Sequence, residues 1–333
     1  MMNLFTDILK VLVMLTVAIL LSACSEFKKD SVSIRLAHGL DVQHPVHVAL
    51  EYMNTELQRL SGGTMQLVLY PSAQLGSERE IIELLQIGSM GMTKVSANSL
   101  EAFVPEMKVF SLPYLFNDQA HYWNTLQGDI GQRLLAAGTQ YRVRGLGYFD
   151  AGSRSFYTTK QEVHKPSDLN GLKIRVMSSQ SAVEMVNTIG GAATPVSFGE
   201  LYTALQQGIV AGAENNPPSF YFSKHYEVSK FYLLDEHTSI PDVIIVGTHL
   251  WDSLTAQQQT WLTEAMNVAT EFQKQLWAES TAMSLAKVKE AGVSVVEADK
   301  SLFQASVQPI YDELKGTSIE PLVKEIKALG DSK

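Results

Sequence analysis

One arginine lies inside an apolar run and is the first candidate for ligand chemistry. Arg175 belongs to residues 172–176, whose sequence LKIRV predicts a β-strand. A guanidinium in such a run is costly unless it meets an anion or a fixed carboxylate. Its planar fork suits bidentate contact with a carboxylate. We therefore expect Arg175 to bind an organic acid; a strand-edge arginine facing water and a structural ion pair are the alternatives.

Other polar residues fall where α/β proteins bind ligands. Asn215 and Asn216 follow the run at 209–213, which predicts a short strand, and ligands sit at the carboxyl ends of strands in open α/β sheets. An amide both donates and accepts hydrogen bonds; an Asn-Pro turn is the alternative. Arg154 is expected at the mouth of the same cleft unless it is an ordinary loop arginine. His38, which ends the first predicted strand, is either a core hydrogen-bonding group or part of the pocket floor.

Three consecutive residues, Asp235, Glu236 and His237, have the side chains of a metal site without its geometry. Consecutive side chains point in different directions, so a solvated loop or a segment that crosses between lobes is favoured over a metal centre.

Catalytic signatures are missing from the sequence. It contains no HExxH, GxSxG or GxxxxGK[ST] motif. Gly145 and Gly147 begin like a dinucleotide fingerprint, but Asp150 stands at the third glycine position, and we interpret the pair as strand-turn punctuation. We expect neither an enzyme nor a cofactor.

The composition excludes further classes. The chain has 333 residues, of which 45% are hydrophobic and 18% charged, so it is globular and long enough for two lobes. With 26 Lys and Arg against 35 Asp and Glu, the net charge is −9, and nucleic acid is not expected as a partner. The single cysteine excludes an internal disulfide and the usual cysteine-based metal and redox motifs.

That cysteine, Cys24, follows the apolar run at 11–21 in the sequence LSAC, which resembles the bacterial lipobox. The run is too short to span a bilayer. We expect a lipoprotein signal peptide over 1–23 and a lipid on Cys24, which makes the protein periplasmic or extracytoplasmic and membrane-anchored. A conventionally cleaved, soluble periplasmic protein is the alternative.

Hydrophobic periodicity predicts two successive α/β units. Strands at 32–36 and 65–70 alternate with helices that begin at Pro45 and at the Ser77–Glu80 capping box, and a buried strand is predicted at 243–246. This alternation favours a mostly parallel sheet. Residues 255–290 contain no Pro or Gly and predict a long helix, which either braces both lobes, breaks once in the middle, or mediates dimerisation.

A set of motifs in order along residues 31–325 resembles the extracytoplasmic solute-binding proteins of TRAP transporters, of the C4-dicarboxylate type. The motifs are YPSAQLG at 70–76, SLPY at 111–114, PSDLNGLKIR at 166–175, PVSFGELY at 195–202 and GAEN at 212–215.

The resemblance implies an α/β, two-lobe fold like that of periplasmic binding proteins, with the ligand cleft between the lobes and a long helix that spans both. The expected parts of the chain are signal peptide 1–23, tether 24–30, lobe I at 31–151 plus 242–281, and lobe II at 152–241 plus 282–325.

The resemblance also implies roles for individual residues. In the family the position of Arg175 pairs with the ligand carboxylate, Arg154 and Asn215 correspond to further ligand-binding positions, and the position of Glu78 receives ligand hydroxyls in sugar-acid binders. The remaining residues expected to bind the ligand are His38, Ser96, Asn98, Phe198 and Glu236.

The resemblance also limits which ligands we expect. Where sialic-acid binders carry a glutamate, this chain has VSAN at 95–98, so sialic acid is disfavoured. The segment ENNPPSFY at 214–221, followed by Tyr226 and residues 235–237, resembles members that bind hexuronates such as glucuronate or galacturonate.

The expected function is a monomeric extracytoplasmic receptor that captures a small organic acid and delivers it to a TRAP membrane permease. No metal is expected. A binder of C4-dicarboxylates or other carboxylates from the same family is one alternative, and a ligand-sensing lipoprotein for a membrane signalling receptor is another. A hydrolase with an unfamiliar carboxylate pair is the third.

Overall fold

The computed structural model describes residues 31–331. The predicted signal peptide, the tether and the lipid-bearing Cys24 lie outside the described residues. Within residues 31–331 the chain forms eleven strands: β1 (Val32–Ala37), β2 (Met65–Tyr70), β3 (Met92–Ser96), β4 (Val143–Phe149), β5 (Ser155–Thr158), β6 (Lys173–Val176), β7 (Ala192–Pro195), β8 (Gly212–Asn215), β9 (Phe231–Leu234), β10 (Asp242–Gly247) and β11 (Ser294–Glu297).

Helices connect most of these strands. The described residues contain fourteen α-helices: α1 (Pro45–Ser61), α2 (Glu78–Gln86), α3 (Ala97–Leu100), α4 (Gln119–Gln127), α5 (Asp129–Ala137), α6 (Gln180–Ile189), α7 (Leu201–Gln206), α8 (Pro217–Phe222), α9 (His225–Val228), α10 (Thr248–Ser253), α11 (Ala256–Glu290), α12 (Lys300–Ser306), α13 (Gln308–Glu313) and α14 (Glu320–Gly330). Short 3₁₀ helices cover Pro105–Ser111, Gly138–Tyr141, Pro166–Leu169 and Phe198–Glu200.

The strands form two sheets. The first has the order β2-β1-β3-β10-β4, in which β10 runs antiparallel to both neighbours. The second has the order β11-β9-β5-β8-β6-β7, in which β5 runs antiparallel to both neighbours. The other pairings are parallel. Each sheet is therefore mostly parallel, as the sequence predicts, and holds one reversed strand.

Each of the two reversed strands comes where the chain has just passed from one sheet to the other. β5 comes directly after β4, and β10 comes directly after β9. The strands of the first sheet lie within 31–151 and 242–281, and those of the second within 152–241 and 282–325. The lobe boundaries themselves stay a prediction.

Local sequence signals set the helix ends. The His44 side chain accepts a hydrogen bond from the Val46 N–H and caps α1, which ends at Gly62 in the left-handed region with φ 60°. Ser77 with Glu80 forms the predicted capping box of α2.

Helix α11 is unbroken over 35 residues and begins at a Thr255–Gln258 capping box. It packs on α1 and β4 of the first sheet and on α8 beside the second. Its Leu262 and Met266 belong to the core around α1, whereas Val288 belongs to a second core around Tyr157. The helix therefore braces both halves of the molecule.

Two details differ from the sequence predictions. The strand expected at 209–213 begins at Gly212, because the preceding residues form the turn after α7 and leave Ile209 half exposed. A Cβ on Gly212 would lie 2.4 Å from the Tyr157 carbonyl oxygen, so glycine permits the close pairing of β8 with β5. The turn predicted at Gly145 and Gly147 was wrong, since both lie inside β4, where neighbouring helices approach the strand closely.

The segments that cross between the sheets are held together. The Arg154 N–H donates to the Thr238 carbonyl at 2.8 Å, which joins residues 150–154 to residues 235–241. From α11, the buried Gln273 side chain accepts from the Asp150 N–H at 2.7 Å and donates to the Asp150 carbonyl at 2.8 Å. The crossing point is thereby tied to the long helix.

Candidate ligand-binding site

A cavity of about 160 Å³ lies between the two sheets. One water needs roughly 10–15 Å³ of such volume, so the cavity suits a ligand of about a dozen non-hydrogen atoms. Six of the nine residues predicted to bind the ligand line it: Glu78, Ser96, Arg154, Arg175, Phe198 and Asn215.

Arg175 is a buried cation that pairs with no carboxylate of residues 31–331. It lies on β6 with 2% of its surface exposed, and its Nε donates to the Val196 carbonyl at 2.8 Å. The guanidinium carbon lies 5.8 Å from the centre of the Phe198 ring. Within residues 31–331, no hydrogen-bond partner exists for its buried Nη1. Burial lowers the pKa of Arg175, as expected for a cation that awaits an anion.

Four of the five N–H groups of Arg154 donate to other residues of the described chain. Its Nε and Nη2 bind the Glu214 carboxylate, with Nη2 at 2.9 Å from Oε1, and Nη2 also donates to the Glu214 carbonyl at 2.7 Å. Its Nη1 donates to the Asn215 Oδ1 at 2.9 Å. Although Arg154 lines the cavity, its main effect is to orient Asn215.

Asn215 ends β8 with its amide at the cavity. Its Oδ1 already accepts from Arg154 and from the Asn216 N–H at 2.9 Å, so the amide NH₂ is the group left to donate to a ligand. Asn216 caps α8 by accepting from the Ser219 N–H at 2.8 Å. The Asn-Pro turn and the binding role are therefore both compatible with these two residues.

Three charged residues form the opposite wall. The Lys94 ammonium lies 3.2 Å from Glu78 Oε1 and 3.1 Å from Asp242 Oδ1, and all three residues line the cavity. Burial alone would raise the pKa of Glu78, but Lys94 and hydrogen bonds from Ser99 and Ser96 bring it below its usual value. Burial raises the pKa of Asp242 despite Lys94.

One hydrogen bond and two rings close the space between the walls. The His44 Nδ1 accepts from the Val46 N–H, so its Nε2 carries the proton and donates to Ser219 Oγ at 3.2 Å across the cleft. Burial lowers the pKa of His44 and keeps its ring neutral. Trp277 of α11 and Phe198 supply apolar surface to the lining.

The other three predicted residues do not line the cavity. His38 makes a core hydrogen bond, with its Nε2 2.9 Å from His47 Nδ1, and burial lowers its pKa to about 3. Asn98 donates to Ser111 Oγ at 3.1 Å. Glu236 points away from the core and pairs with Lys300. The lining of the cavity therefore gives no support to a ligand contact for these three residues.

A buried charge network lies behind the Arg154 side of the cavity. His237 Nδ1 is 2.8 Å from Asp235 Oδ2, and its Nε2 is 3.5 Å from Glu214 Oε2. Burial alone would lower the pKa of His237, but the two carboxylates raise it to about 9. Likewise, burial would raise the pKa of Glu214, but Arg154 and His237 lower it to about 2. Residues 235–237 thus form a crossing segment, as one of the sequence interpretations had it.

The sequence reasoning missed Lys94, Asp242 and His44. Lys94 is a charge within the buried strand β3, which is the same signal that singled out Arg175. Asp242 directly precedes the apolar run at 243–246, and His44 directly precedes the helix-starting Pro45. A charged residue in or beside a buried strand is therefore the signal that could have identified Lys94 and Asp242.

Among residues 31–331, no group of three or more His, Cys, Asp and Glu side chains could hold a metal ion. None of the helices in that range is both long and apolar enough to cross a membrane.

Comparison with known proteins gives consistent matches. Residues 36–317 match the profile of the bacterial extracellular solute-binding proteins of family 7, DctP. A protein of Salmonella typhimurium is 39% identical over 298 residues, which cover 89% of this chain and 91% of that protein.

Two solved structures share the fold at a TM-score of 0.86, and each comparison covers 89% of this chain and 99% of the other. One is a TRAP periplasmic solute-binding protein from Xanthobacter autotrophicus with bound β-D-galacturonate, at 36% identity. The other is a TRAP periplasmic solute-binding protein from Chromohalobacter salexigens with bound D-glucuronate, at 34% identity.

Proposed function

This chain belongs to family 7 of the bacterial extracellular solute-binding proteins and is a TRAP periplasmic solute-binding protein, and from that premise we propose that its ligand is a hexuronate, glucuronate or galacturonate. The resemblance found in the sequence motifs is thereby confirmed. The family consists of binding receptors that take small organic acids and work with a TRAP permease.

The observation that carries the proposal is the guanidinium of Arg175, whose charge no carboxylate of residues 31–331 balances. A buried cation without a partner is destabilising, and a ligand carboxylate would relieve that cost. Charge-assisted bidentate contacts are also the strongest hydrogen bonds available to such a ligand. The Asn215 amide beside it and the carboxylates of Glu78 and Asp242 opposite suit the hydroxyls of a sugar acid.

Size supports the same ligand class. A hexuronate has about a dozen non-hydrogen atoms, which agrees with the cavity of about 160 Å³. The two solved structures described above hold hexuronates in the same fold.

Titration calorimetry with glucuronate and galacturonate tests the proposal. Replacing Arg175 with Lys keeps the charge but removes the planar fork, so we expect binding to weaken by about 1–3 kcal/mol. Arg175→Ala should lose more, because the acid would then be desolvated without a cation. Binding of neither uronate by the wild type would overturn the proposal.

A matched control is Arg133→Lys. Arg133 is an exposed arginine that pairs with Glu325 at 2.6 Å on the surface, so its replacement should leave uronate affinity unchanged. Wild-type affinity in Arg175→Lys, together with a collapse of ligand-free stability in Arg175→Ala, would assign Arg175 a structural role instead. Recovery of the uronate unchanged after incubation with the protein tests the expectation that the protein is a receptor without enzyme activity.

We also propose that the protein is held at a membrane by a lipid on Cys24. The support is the LSAC sequence directly after the apolar run at 11–21. Replacing Cys24 with Ser should release the protein into the soluble extracytoplasmic fraction. Unchanged membrane association of that variant would count against the lipid anchor.

A further inference from the structure

The wall of the cavity that belongs to the first sheet has a net negative charge. The carboxylates of Glu78 and Asp242 share a single ammonium, that of Lys94, at 3.2 and 3.1 Å. Lys94 and Asp242 lie on the paired strands β3 and β10, and Glu78 is the first residue of α2. This wall therefore has one more negative than positive charge.

The opposite wall has a net positive charge. Glu214 neutralises Arg154, and Asp235 neutralises His237. Arg175 therefore remains as the cation that no carboxylate of residues 31–331 balances.

The other titratable groups of the lining leave this polarity unchanged. His44 is neutral because burial lowers its pKa, and the exposed Arg79 at the rim is paired with Glu83 at 3.1 Å. The cavity is thus positive at β6 and negative at β3 and β10.

Hydrogen-bond chemistry reinforces the polarity. An ionised carboxylate can accept but not donate. Asp242 Oδ1 accepts from Lys94, whereas its Oδ2 has no hydrogen-bond partner within the described part of the chain. A ligand hydroxyl can donate to that oxygen. A second ligand carboxylate cannot donate, and it would bring like charge beside Asp242 and Glu78.

We propose that Asp242, together with Glu78, selects monocarboxylates and rejects dicarboxylates. The single carboxylate of the ligand binds Arg175, and its hydroxyls donate to the two carboxylates that flank Lys94. This inference rests on the proposed function, which supplies the carboxylate at Arg175. The two wall carboxylates would repel a second carboxylate on the ligand, and specificity commonly depends on such a repulsive interaction.

Calorimetry on matched pairs of hydroxy acids tests the inference. The pairs are galacturonate with galactarate, gluconate with glucarate, and erythronate with meso-tartrate; each pair shares a carbon chain and differs in the number of carboxylates. We expect the wild type to bind at least one monoacid about tenfold or more tightly than its diacid.

Substitution at the negative wall should reduce this preference. Asp242→Asn keeps the shape of the side chain and removes one negative charge, so the ratio of diacid to monoacid affinity should rise about tenfold. Glu78→Gln should change the ratio in the same direction, and it serves as the second variant if Asp242→Asn does not fold. The control is Glu51→Gln, on the exposed face of α1, which should leave the ratio unchanged.

The outcomes separate this inference from the proposed ligand. Equal binding within each pair, or a preference of the wild type for a diacid, overturns the inference even if uronates bind. An unchanged ratio in both wall variants also overturns it. A preference for another monoacid over its diacid, without uronate binding, overturns the hexuronate and supports the inference. Binding of no member of any pair overturns both.

Discussion

His237 is a buried imidazolium between two carboxylates, Asp235 and Glu214. Glu214 holds Arg154, and Arg154 orients the amide of Asn215. The proton on His237 therefore stabilises the wall of the cavity from behind, although His237 is not part of the lining. Such a network is favourable only while every member keeps its charge.

The free energy of unfolding should be greatest near pH 6.5. The pKa of His237 is raised from 6.5 to about 9, so its contribution is complete below pH 6.5 and is lost as the pH rises through about 9. The pKa values of His38 and His225 are lowered from 6.5 to about 3, so stability is lost as the pH falls from 6.5 towards 3. Chemical denaturation at a series of pH values measures both slopes.

Replacing His237 or His225 with glutamine separates the alkaline and the acid decline in the free energy of unfolding. His237→Gln should flatten the alkaline decline, whereas His225→Gln should leave the alkaline decline and reduce the acid one. An alkaline slope that is the same in His237→Gln and the wild type would show that His237 is not charged in the folded protein.

Residue-level prediction from the sequence located cavity-lining residues where a single segment carried the signal. Arg175 in an apolar run and Asn215 at a strand end were both found in this way. Lys94 and Asp242 were not found, although each is a charge in or beside a buried strand, and their contacts with each other and with Glu78 join segments far apart in the chain. For His38 the period-two pattern gave the strand but not the direction of the side chain at its end, and the neighbouring His44 lines the cavity instead.

At the scale of elements, Glu101 joins α3 of the first half to the start of α6 in the second half. Its Oε1 accepts from Ser179 Oγ at 2.7 Å and from the Ser181 N–H at 3.0 Å, and its Oε2 accepts from Ser111 Oγ at 3.1 Å. A carboxylate at the N-terminus of a helix is stabilised by the unpaired N–H groups there. The contact holds the two walls of the cleft together.

Removing this contact should weaken ligand binding without touching the ligand. Glu101 does not line the cavity, and hydrogen bonds to a charged group contribute roughly 1–3 kcal/mol, so Glu101→Ala should reduce uronate affinity by about tenfold. Titration calorimetry measures the change. Wild-type affinity in Glu101→Ala would mean that the contact does not hold the closed arrangement.

A natural comparison is Glu184→Gln. Glu184 joins the same two regions through Lys108 at 3.6 Å, but both side chains are partly exposed. Exposed pairs contribute little, so this variant should bind nearly as the wild type does.

At the scale of the whole molecule, the two crossing segments and α11 connect the halves. The cavity is complete only when both walls meet, as they do at His44 and Ser219. Small-angle scattering should therefore give a smaller radius of gyration with saturating uronate than without it, because the crossing segments absorb the closure. Arg175→Ala should show no compaction at the same uronate concentration. Equal radii of the wild type in both conditions would mean a rigid site.

The strands and helices of each half could be predicted from the sequence. The points at which the chain crosses from one half to the other could not. Period-two and apolar runs located β1, β2 and β10, and capping boxes located α2 and α11. The reversal of β5 and β10 has no local signature, because strand direction depends on which sheet a strand joins. Family resemblance, rather than periodicity, supplied the two-lobe arrangement.

The position of β10 also sets the order in which the molecule can assemble. β10 lies between β3 and β4, so both strands lack a neighbour until residues 242–247 have been synthesised. By then β5 to β9 of the second sheet are already present. Pairing between distant segments slows folding, and open strand edges favour aggregation in the meantime. The sheet that is begun first is therefore closed only after most of the second sheet has been synthesised.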